Sequence, residues 1–336
     1  MKSHSYEFRL IDVARLVGGL LVPMIIFAVL LRVGAFCKVL PAPWPALDVD
    51  HTILTHQAEA SRRAGNADLL LIGDSSCLMN VSGRQLEQLC AGERRCINLG
   101  SLMYLGLDGY AAMLSRYVSA NPGRVHTVVV FLHPEMLRGV PPVREHLLFL
   151  SDYYAGIDFQ GARSFHGQLQ GLFGLHIFQD RLLTRSPLAL PGAYGRAYGF
   201  NLDLHRFMDA ERGSLFDPHQ YVFASGQGNA EYRLSPSLEA GCMALRAAVP
   251  PGTKLMFGLT PIPQSFVPPG YAARWRTLLL QCGEWLQADV CLTNLPPTMP
   301  DSAFASTTHL NQSGARQYTE IFARVLKSHP AENQSK

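Results

Sequence analysis

Hydrophobic positions along this chain fall into short continuous apolar runs separated by amphipathic stretches. Asp68-Leu69-Leu70-Leu71-Ile72-Gly73 is apolar throughout and stops at a glycine, which predicts a strand buried on both faces. Cys96-Ile97-Asn98-Leu99-Gly100 reads as a second strand. Thr127 to Leu132, the most β-branched run, reads as a third, Lys254 to Leu259 as a fourth and Val290 to Thr293 as a short fifth. Helical patterning fills the intervals over Ser82 to Cys90, Leu107 to Ala120, Ser235 to Ala248, Tyr271 to Gln287 and Gln312 to Lys327. Asn121-Pro122-Gly123 and Pro250-Pro251-Gly252 mark two of the helix ends.

Strands alternating with helices imply a parallel sheet covered on both sides, an α/β fold of three layers (α/β/α) with five mostly parallel strands and a flavodoxin-like order. The alternation lapses between about 140 and 233, where Gly, Tyr, Phe and His are frequent and no period is visible. This is read as a long insertion after the third strand. It leaves the C-terminal edge of the sheet, where open α/β sheets bind ligands, and so suits a lid or a groove wall.

Ahead of the domain, Leu16 to Leu31 carries no charge, and apolar character continues past Arg32 to Phe36. A helix over 16–36 rises roughly 31 Å, about one bilayer core. The expectation is a single uncleaved transmembrane anchor at 16–36, a cytoplasmic tail at 1–15, a linker at 37–66 that includes Pro41 to Pro45, and an extracytoplasmic domain at 67–330. The tail's Lys2, Arg9 and Arg15, against Arg32 and Lys38 beyond the run, set that orientation.

Composition narrows the function. A hydrophobic content of 48% excludes a disordered chain, and 29 Lys+Arg against 26 Asp+Glu give a net charge of +3, too little for a nucleic-acid partner. Neither a C-x-x-C pair nor an H-E-x-x-H helix is present, so the sequence predicts no metal and no cofactor. Of the 7 cysteines, Cys37 lies at the anchor, and Cys90 with Cys96 or Cys282 with Cys291 are spaced to bridge in an oxidising compartment or to stay buried as thiols.

Two remote pieces carry chemistry. Ser75 follows Gly73-Asp74 at the end of the first strand, where a helix would begin and backbone N–H groups can hold an anion. A serine nucleophile needs that placement, because its tetrahedral intermediate carries an oxyanion. The second piece is Thr308-His309-Leu310-Asn311-Gln312-Ser313-Gly314, just before the last helix. An imidazole there reaches the same sheet edge and could act as the base.

With these residues the sequence resembles the SGNH (GDSL-type) hydrolase superfamily over about 68–327. Gly73-Asp74-Ser75 matches its nucleophile block, Asn98-Leu99-Gly100 its second block and His309-Leu310-Asn311 with Gly314 its last. The resemblance implies that Ser75 is the nucleophile, that His309 is the base, and that the N–H groups of Ser75 and Gly100 form the oxyanion hole. Asp74, Asn98, His133 and Asn311 are then candidates for substrate contact. Two positions depart from the family. The acid expected three residues before the histidine is Ser306, so Asp301, the Ser306 hydroxyl or a carbonyl would orient His309. The third block has His133-Pro134-Glu135 where an Asn is expected.

The chain looks most like the membrane-anchored branch associated with bacterial polysaccharide O-acetylation and teichoic-acid D-alanylation. That likeness implies a periplasm-facing O-acyltransferase of the inner membrane working through a Ser75 acyl-enzyme. It also implies a polysaccharide acceptor and a membrane-bound O-acyltransferase (MBOAT-type) partner supplying the acyl group. A carbohydrate or lipid esterase of the same fold and a non-catalytic assembly component are the alternatives.

Overall fold

The computed structural model describes residues 10–36, 49–155, 201–217 and 232–329. In chain order the elements are α1 (Leu10–Phe36), α2 (Val49–Arg62), β1 (Leu69–Gly73), α3 (Ser75–Asn80), α4 (Gly83–Leu89), β2 (Cys96–Asn98), α5 (Gly106–Ala120), β3 (Thr127–Leu132), α6 (Arg144–Tyr154), α7 (Asn201–Ala210), α8 (Glu239–Ala247), β4 (Lys254–Leu259), β5 (Ile262–Pro263), α9 (Tyr271–Trp285), β6 (Val290–Cys291), β7 (Thr298–Met299) and α10 (Gln312–Lys327). Five parallel strands form one sheet in the order β2-β1-β3-β4-β6. Numbered among themselves these strands run 2-1-3-4-5, the flavodoxin-like doubly wound order. The five strands read from the sequence are these five. The small parallel pair β5–β7 was not foreseen, because two residues are too short for a pattern.

Strand periodicity divides the core. Leu70, Ile72, Val128, Val130, Leu132, Leu255, Phe257 and Leu259 point to one side, against α2, α5, α8 and α9. Leu69, Leu71, Val129, Phe131 and Met256 point to the other, against α3, α4 and α10. Both faces are dry, which is why β1 and β3 read as unbroken apolar runs.

Several expectations are revised. The stretch 49–62, assigned to the linker, is the helix α2. It was missed because Thr52, Thr55, His56, Gln57 and Ser61 are polar yet buried. Gln57 Nε2 donates to the carbonyls of Gly100 (2.6 Å) and Gly213 (3.1 Å), so its burial satisfies backbone groups of two other segments.

The insertion is not an appendage. Phe149 and Leu150 of α6, Leu204 and Met208 of α7, then Leu215 and Phe216 are all core residues. Its return leg runs beside β2, where Asn98 N–H donates to Arg212 O at 2.8 Å, and Leu215 N–H donates to Leu78 O at 3.1 Å. The segments 156–200 and 218–231 lie outside the described residues, as do Pro41 to Pro45 and Cys37.

Neither foreseen cysteine pair is bridged. Cys90, Cys96, Cys282 and Cys291 are free thiols, and the closest approach is instead Cys242 Sγ to Cys282 Sγ at 4.0 Å.

Among the described residues no helix is long and apolar enough to cross a membrane, so the fold does not support the transmembrane assignment of 16–36. What it describes there is the helix α1, with Pro23 inside it and with Leu16, Leu20, Ile25 and Leu30 among its exposed side chains.

Candidate active site

β1 ends at Gly73, whose φ of +154° and lack of a side chain let the chain turn sharply beside β3. A Cβ there would lie 1.8 Å from Phe131 O. Asp74 follows as the N-cap of α3 and is fully buried. Its Oδ1 accepts from Ser76 N–H (2.9 Å) and Ser76 O–H (2.6 Å), and its Oδ2 accepts from His133 N–H (2.7 Å). Thr260, just after β4, donates to Ser76 Oγ at 2.9 Å. Burial pushes the Asp74 carboxyl above its usual range, and the hydrogen bonds from Ser76 and His133 oppose that rise. Asp74 is therefore a brace between the ends of β1, β3 and β4, not the substrate contact expected of it.

Ser75 is the first residue of α3 and is partly exposed, whereas Ser76 and Cys77 beside it are buried. Among the described residues nothing accepts from the Ser75 N–H. Burial drives the Cys77 thiol well above its ordinary pKa, so it stays protonated and packed.

His309 approaches from the far end of the chain. Its Nε2 lies 2.8 Å from Ser75 Oγ, across 234 positions of sequence. With the ring proton on Nδ1, Ser75 O–H donates to Nε2, the arrangement a general base requires. Burial lowers the imidazole pKa to about 4, and the charge of Asp217 partly offsets that. At neutral pH the ring is uncharged and able to accept the serine proton.

The residues proposed to orient His309 do something else. Ser306 Oγ accepts from the N–H groups of Thr308 (3.3 Å) and His309 (3.0 Å), fixing the loop and not the ring. Asp301 Oδ1 accepts from Ser265 N–H at 3.0 Å. Among the described residues no group accepts a hydrogen bond from His309 Nδ1. The acid that does act on the ring is Asp217, at the end of the insertion's return leg. Asp217 bridges Asn311 in parallel register, and Gln312 N–H donates to its carbonyl at 2.8 Å. Sequence reasoning missed it because a residue 92 positions upstream, inside a patternless stretch, gives no local signal.

Asn98, Asn311 and Gly100 are also revised. Asn98 is fully buried; its Nδ2 donates to Cys77 O, Val81 O and Ser214 Oγ, and its Oδ1 accepts from Gly100 N–H at 2.8 Å. The Gly100 donor expected in the oxyanion hole is therefore already engaged. Gly100 is needed for another reason, since a Cβ on it would lie 2.4 Å from Leu78 N. Asn311 caps α10 by accepting from Gly314 N–H (2.9 Å) and donates to Ser302 O (2.8 Å), so it holds the histidine loop and does not face substrate. Of the candidate contact residues, only His133 reaches the cavity.

That cavity, of about 460 Å³, is bounded by Ser75, His133, His309, Thr307 and Thr308 on its polar side. Met103, Tyr104, Phe266 and Tyr232 form the apolar side, with Val140 and Glu135 completing the wall. Val140 and Tyr232 stand at the two ends of the insertion, so the insertion borders the site as expected.

A second cluster, invisible in the sequence, joins His56 of α2 to His205 and Asp209 of α7, with potential ligand atoms all within 4.8 Å. Arg63 Nη1 shares the Asp209 carboxylate at 3.2 Å, as does His56 Nε2 at 3.2 Å, so the group is internally paired as it stands.

No protein-family model matches the chain, and no curated protein matches it. The likeness to SGNH hydrolases therefore rests on the motif residues alone.

Proposed function

We propose that the chain is a serine-dependent O-acyltransferase that moves an acyl group, such as acetyl, to a polysaccharide hydroxyl through a Ser75 acyl-enzyme. The observation that carries this reading is the 2.8 Å contact between Ser75 Oγ and His309 Nε2 in a cavity open to ligands. Ser75 Oγ attacks the acyl carbon while its proton passes to His309 Nε2. The leaving group departs with that proton. The acceptor hydroxyl then gives its proton to Nε2 as its oxygen attacks the Ser75 ester, and Nε2 passes that proton to Ser75 Oγ as the acyl–Oγ bond breaks, releasing the acylated product and the free serine. The exposed ring of Tyr104, with Phe266 and Tyr232, offers flat apolar surface that suits the faces of sugar rings.

The anchor at 16–36, an inner-membrane location with the domain on the periplasmic side, and an MBOAT-type donor partner belong to the same proposal. Support for the anchor comes from the sequence, in which Leu16 to Leu31 carries no charge, and from the exposure of Leu16, Leu20, Ile25 and Leu30 on α1. Apolar side chains left exposed in this number are unfavourable in water. Recovery of the full chain in the soluble fraction of lysed cells would remove this part.

The function is tested by Ser75→Ala in the producing cell, which is expected to abolish acetylation of the surface or secreted glycan at unchanged protein level. Acetylation at the wild-type level in that strain would refute the enzymatic reading. Among the described residues no carboxylate is hydrogen-bonded to the His309 ring, which favours a second reading, a non-catalytic assembly component. Covalent labelling of Ser75 by a fluorophosphonate excludes that alternative. Hydrolysis of p-nitrophenyl acetate at a rate indifferent to added oligosaccharide would instead mark an esterase.

A further inference from the structure

His56 lies within α2 and is buried, whereas His205 and Asp209 lie one turn apart on α7 and so share a face of that helix. Asp209 meets both rings, one with each oxygen. Its Oδ1 is 3.2 Å from His56 Nε2 and its Oδ2 is 3.6 Å from His205 Nε2. The two ring centroids are 4.9 Å apart, and one donor atom from each of the three residues falls within 4.8 Å of the other two. With zinc–ligand bonds of about 2.0–2.1 Å, neighbouring donors of a tetrahedral site stand about 3.3–3.4 Å apart. Both contacts to Asp209 are already close to that spacing. Two imidazoles and a carboxylate suit Zn²⁺, and do not suit Ca²⁺ or Mg²⁺, which take oxygen ligands.

We propose that His56, His205 and Asp209 form a binding site for one Zn²⁺, with water completing the coordination. The ligands are in a state to bind. His56 Nδ1 makes no hydrogen bond, so the ring proton can sit there when Nε2 gives its lone pair to the ion. Burial and the neighbouring His56 lower the His205 pKa to about 4, so that ring is uncharged at neutral pH. Arg63 is the competitor, since its Nη1 lies 3.2 Å from Asp209 Oδ1. The guanidinium is half exposed, however, and its Nη2 is also paired with Glu59 Oε1 at 2.6 Å, so it can leave Asp209 and keep the shorter pair. A cavity of about 200 Å³ bordered by His56, Arg63, Gly65, Asn66, Asp209 and Arg212 gives the ion a way in and room for water. The ion would clamp the insertion's return helix to α2, just ahead of the segment whose Arg212 carbonyl accepts from Asn98 N–H. Its role is structural. None of the three ligands borders the Ser75 cavity, so the inference stands apart from the acyl-enzyme reading.

The test uses the full-length protein in detergent, stripped of metal with a chelator and titrated with Zn²⁺ by calorimetry. One ion per chain is expected to bind with micromolar or tighter affinity, and the thermal midpoint is expected to rise with Zn²⁺ concentration. Asp209→Asn and His205→Gln each remove a ligand at similar bulk and are expected to weaken binding by roughly 100-fold or more, with the rise in midpoint lost. Arg63→Gln removes the competing cation and is expected to tighten binding by about 10-fold. That gain distinguishes a metal site from an ion-pair cluster, which would only lose a partner. A second measurement needs no variant: Co²⁺ in place of Zn²⁺ is expected to shift the ring resonances of two histidines in the NMR spectrum of the wild-type chain. The absence of saturable Zn²⁺ binding would overturn the assignment. So would wild-type affinity in both Asp209→Asn and His205→Gln, or Co²⁺ shifts on fewer than two histidines.

Discussion

The state of the base controls how activity depends on pH. His309 must be neutral to take the Ser75 proton, and burial sets its pKa to about 4. An ordinary histidine, with pKa near 6.5, is only about 3% neutral at pH 5, whereas a group with pKa of about 4 is about 90% neutral there. The two cases differ roughly 30-fold in active enzyme at pH 5 and hardly at all at pH 8. The structure therefore predicts that kcat/KM for p-nitrophenyl acetate stays nearly flat from pH 8 to pH 5. Below that it falls, with a midpoint near pH 4, because protonation removes the base as pH drops through the folded-state value. The kcat/KM profile is the right readout, since it reports the free enzyme's groups. Initial rates followed at the isosbestic wavelength of p-nitrophenol avoid interference from the product's own titration. An acid limb centred at pH 6 or above would refute the reasoning. It would mean that the imidazole is held in its charged form by a carboxylate partner, or is more open to water than its partly buried place in the cavity wall, and no described group accepts from its Nδ1.

Two other substitutions probe the same site. Asp217→Asn removes the charge that raises the His309 pKa, so the acid limb should move to lower pH, with the thermal midpoint little changed; a limb that stays in place would show that Asp217 does not act on the ring. Gly73→Ala places a Cβ 1.8 Å from the Phe131 carbonyl, and should destabilise the domain by about 3 kcal/mol or more in urea titration; a wild-type midpoint would contradict the close approach of β1's end to β3.

What the sequence disclosed follows from what each element buries. β1, β3 and β4 lie between two helical layers, so Leu69 to Gly73, Thr127 to Leu132 and Lys254 to Leu259 had to be apolar almost throughout, and they read as strands at sight. α2 buries Gln57, Thr52 and Ser61, which defeats any search for an apolar face and makes the stretch read as linker. Ser75 and His309 were legible because their chemistry and their places at the strand and helix ends are local features. The roles of Asp74, Asn98 and Asn311 were not. A short amide or carboxylate beside a catalytic block looks the same in sequence whether it faces a ligand or binds backbone. Here all three bind backbone, with at most a few percent of their surface exposed. Asp217 was hidden by distance, since only the return of the insertion along β2 carries it to Asn311.

The spacing of nucleophile and base is fixed by a helix of six residues. α3 begins at Ser75 and ends at Asn80, whose Oδ1 accepts from Leu310 N–H at 2.8 Å. The residue next to His309 is thus gripped by the far end of the helix that presents Ser75. The near end is held by Asp74, whose carboxylate also fixes the backbone of His133. Behind the helix, Asn98 takes the carbonyls of Cys77 and Val81, so the helix cannot slide along its axis without breaking bonds at both ends. Nucleophile, base and the turn carrying His133 are therefore referred to one short rigid element and to the strand ends beneath it, while the insertion borders the cavity without carrying Ser75, His133 or His309. A site with this construction tolerates variation in the insertion, where specificity for the acceptor would be set, and tolerates little at Asp74, Asn80 or Asn98, none of which touches the cavity.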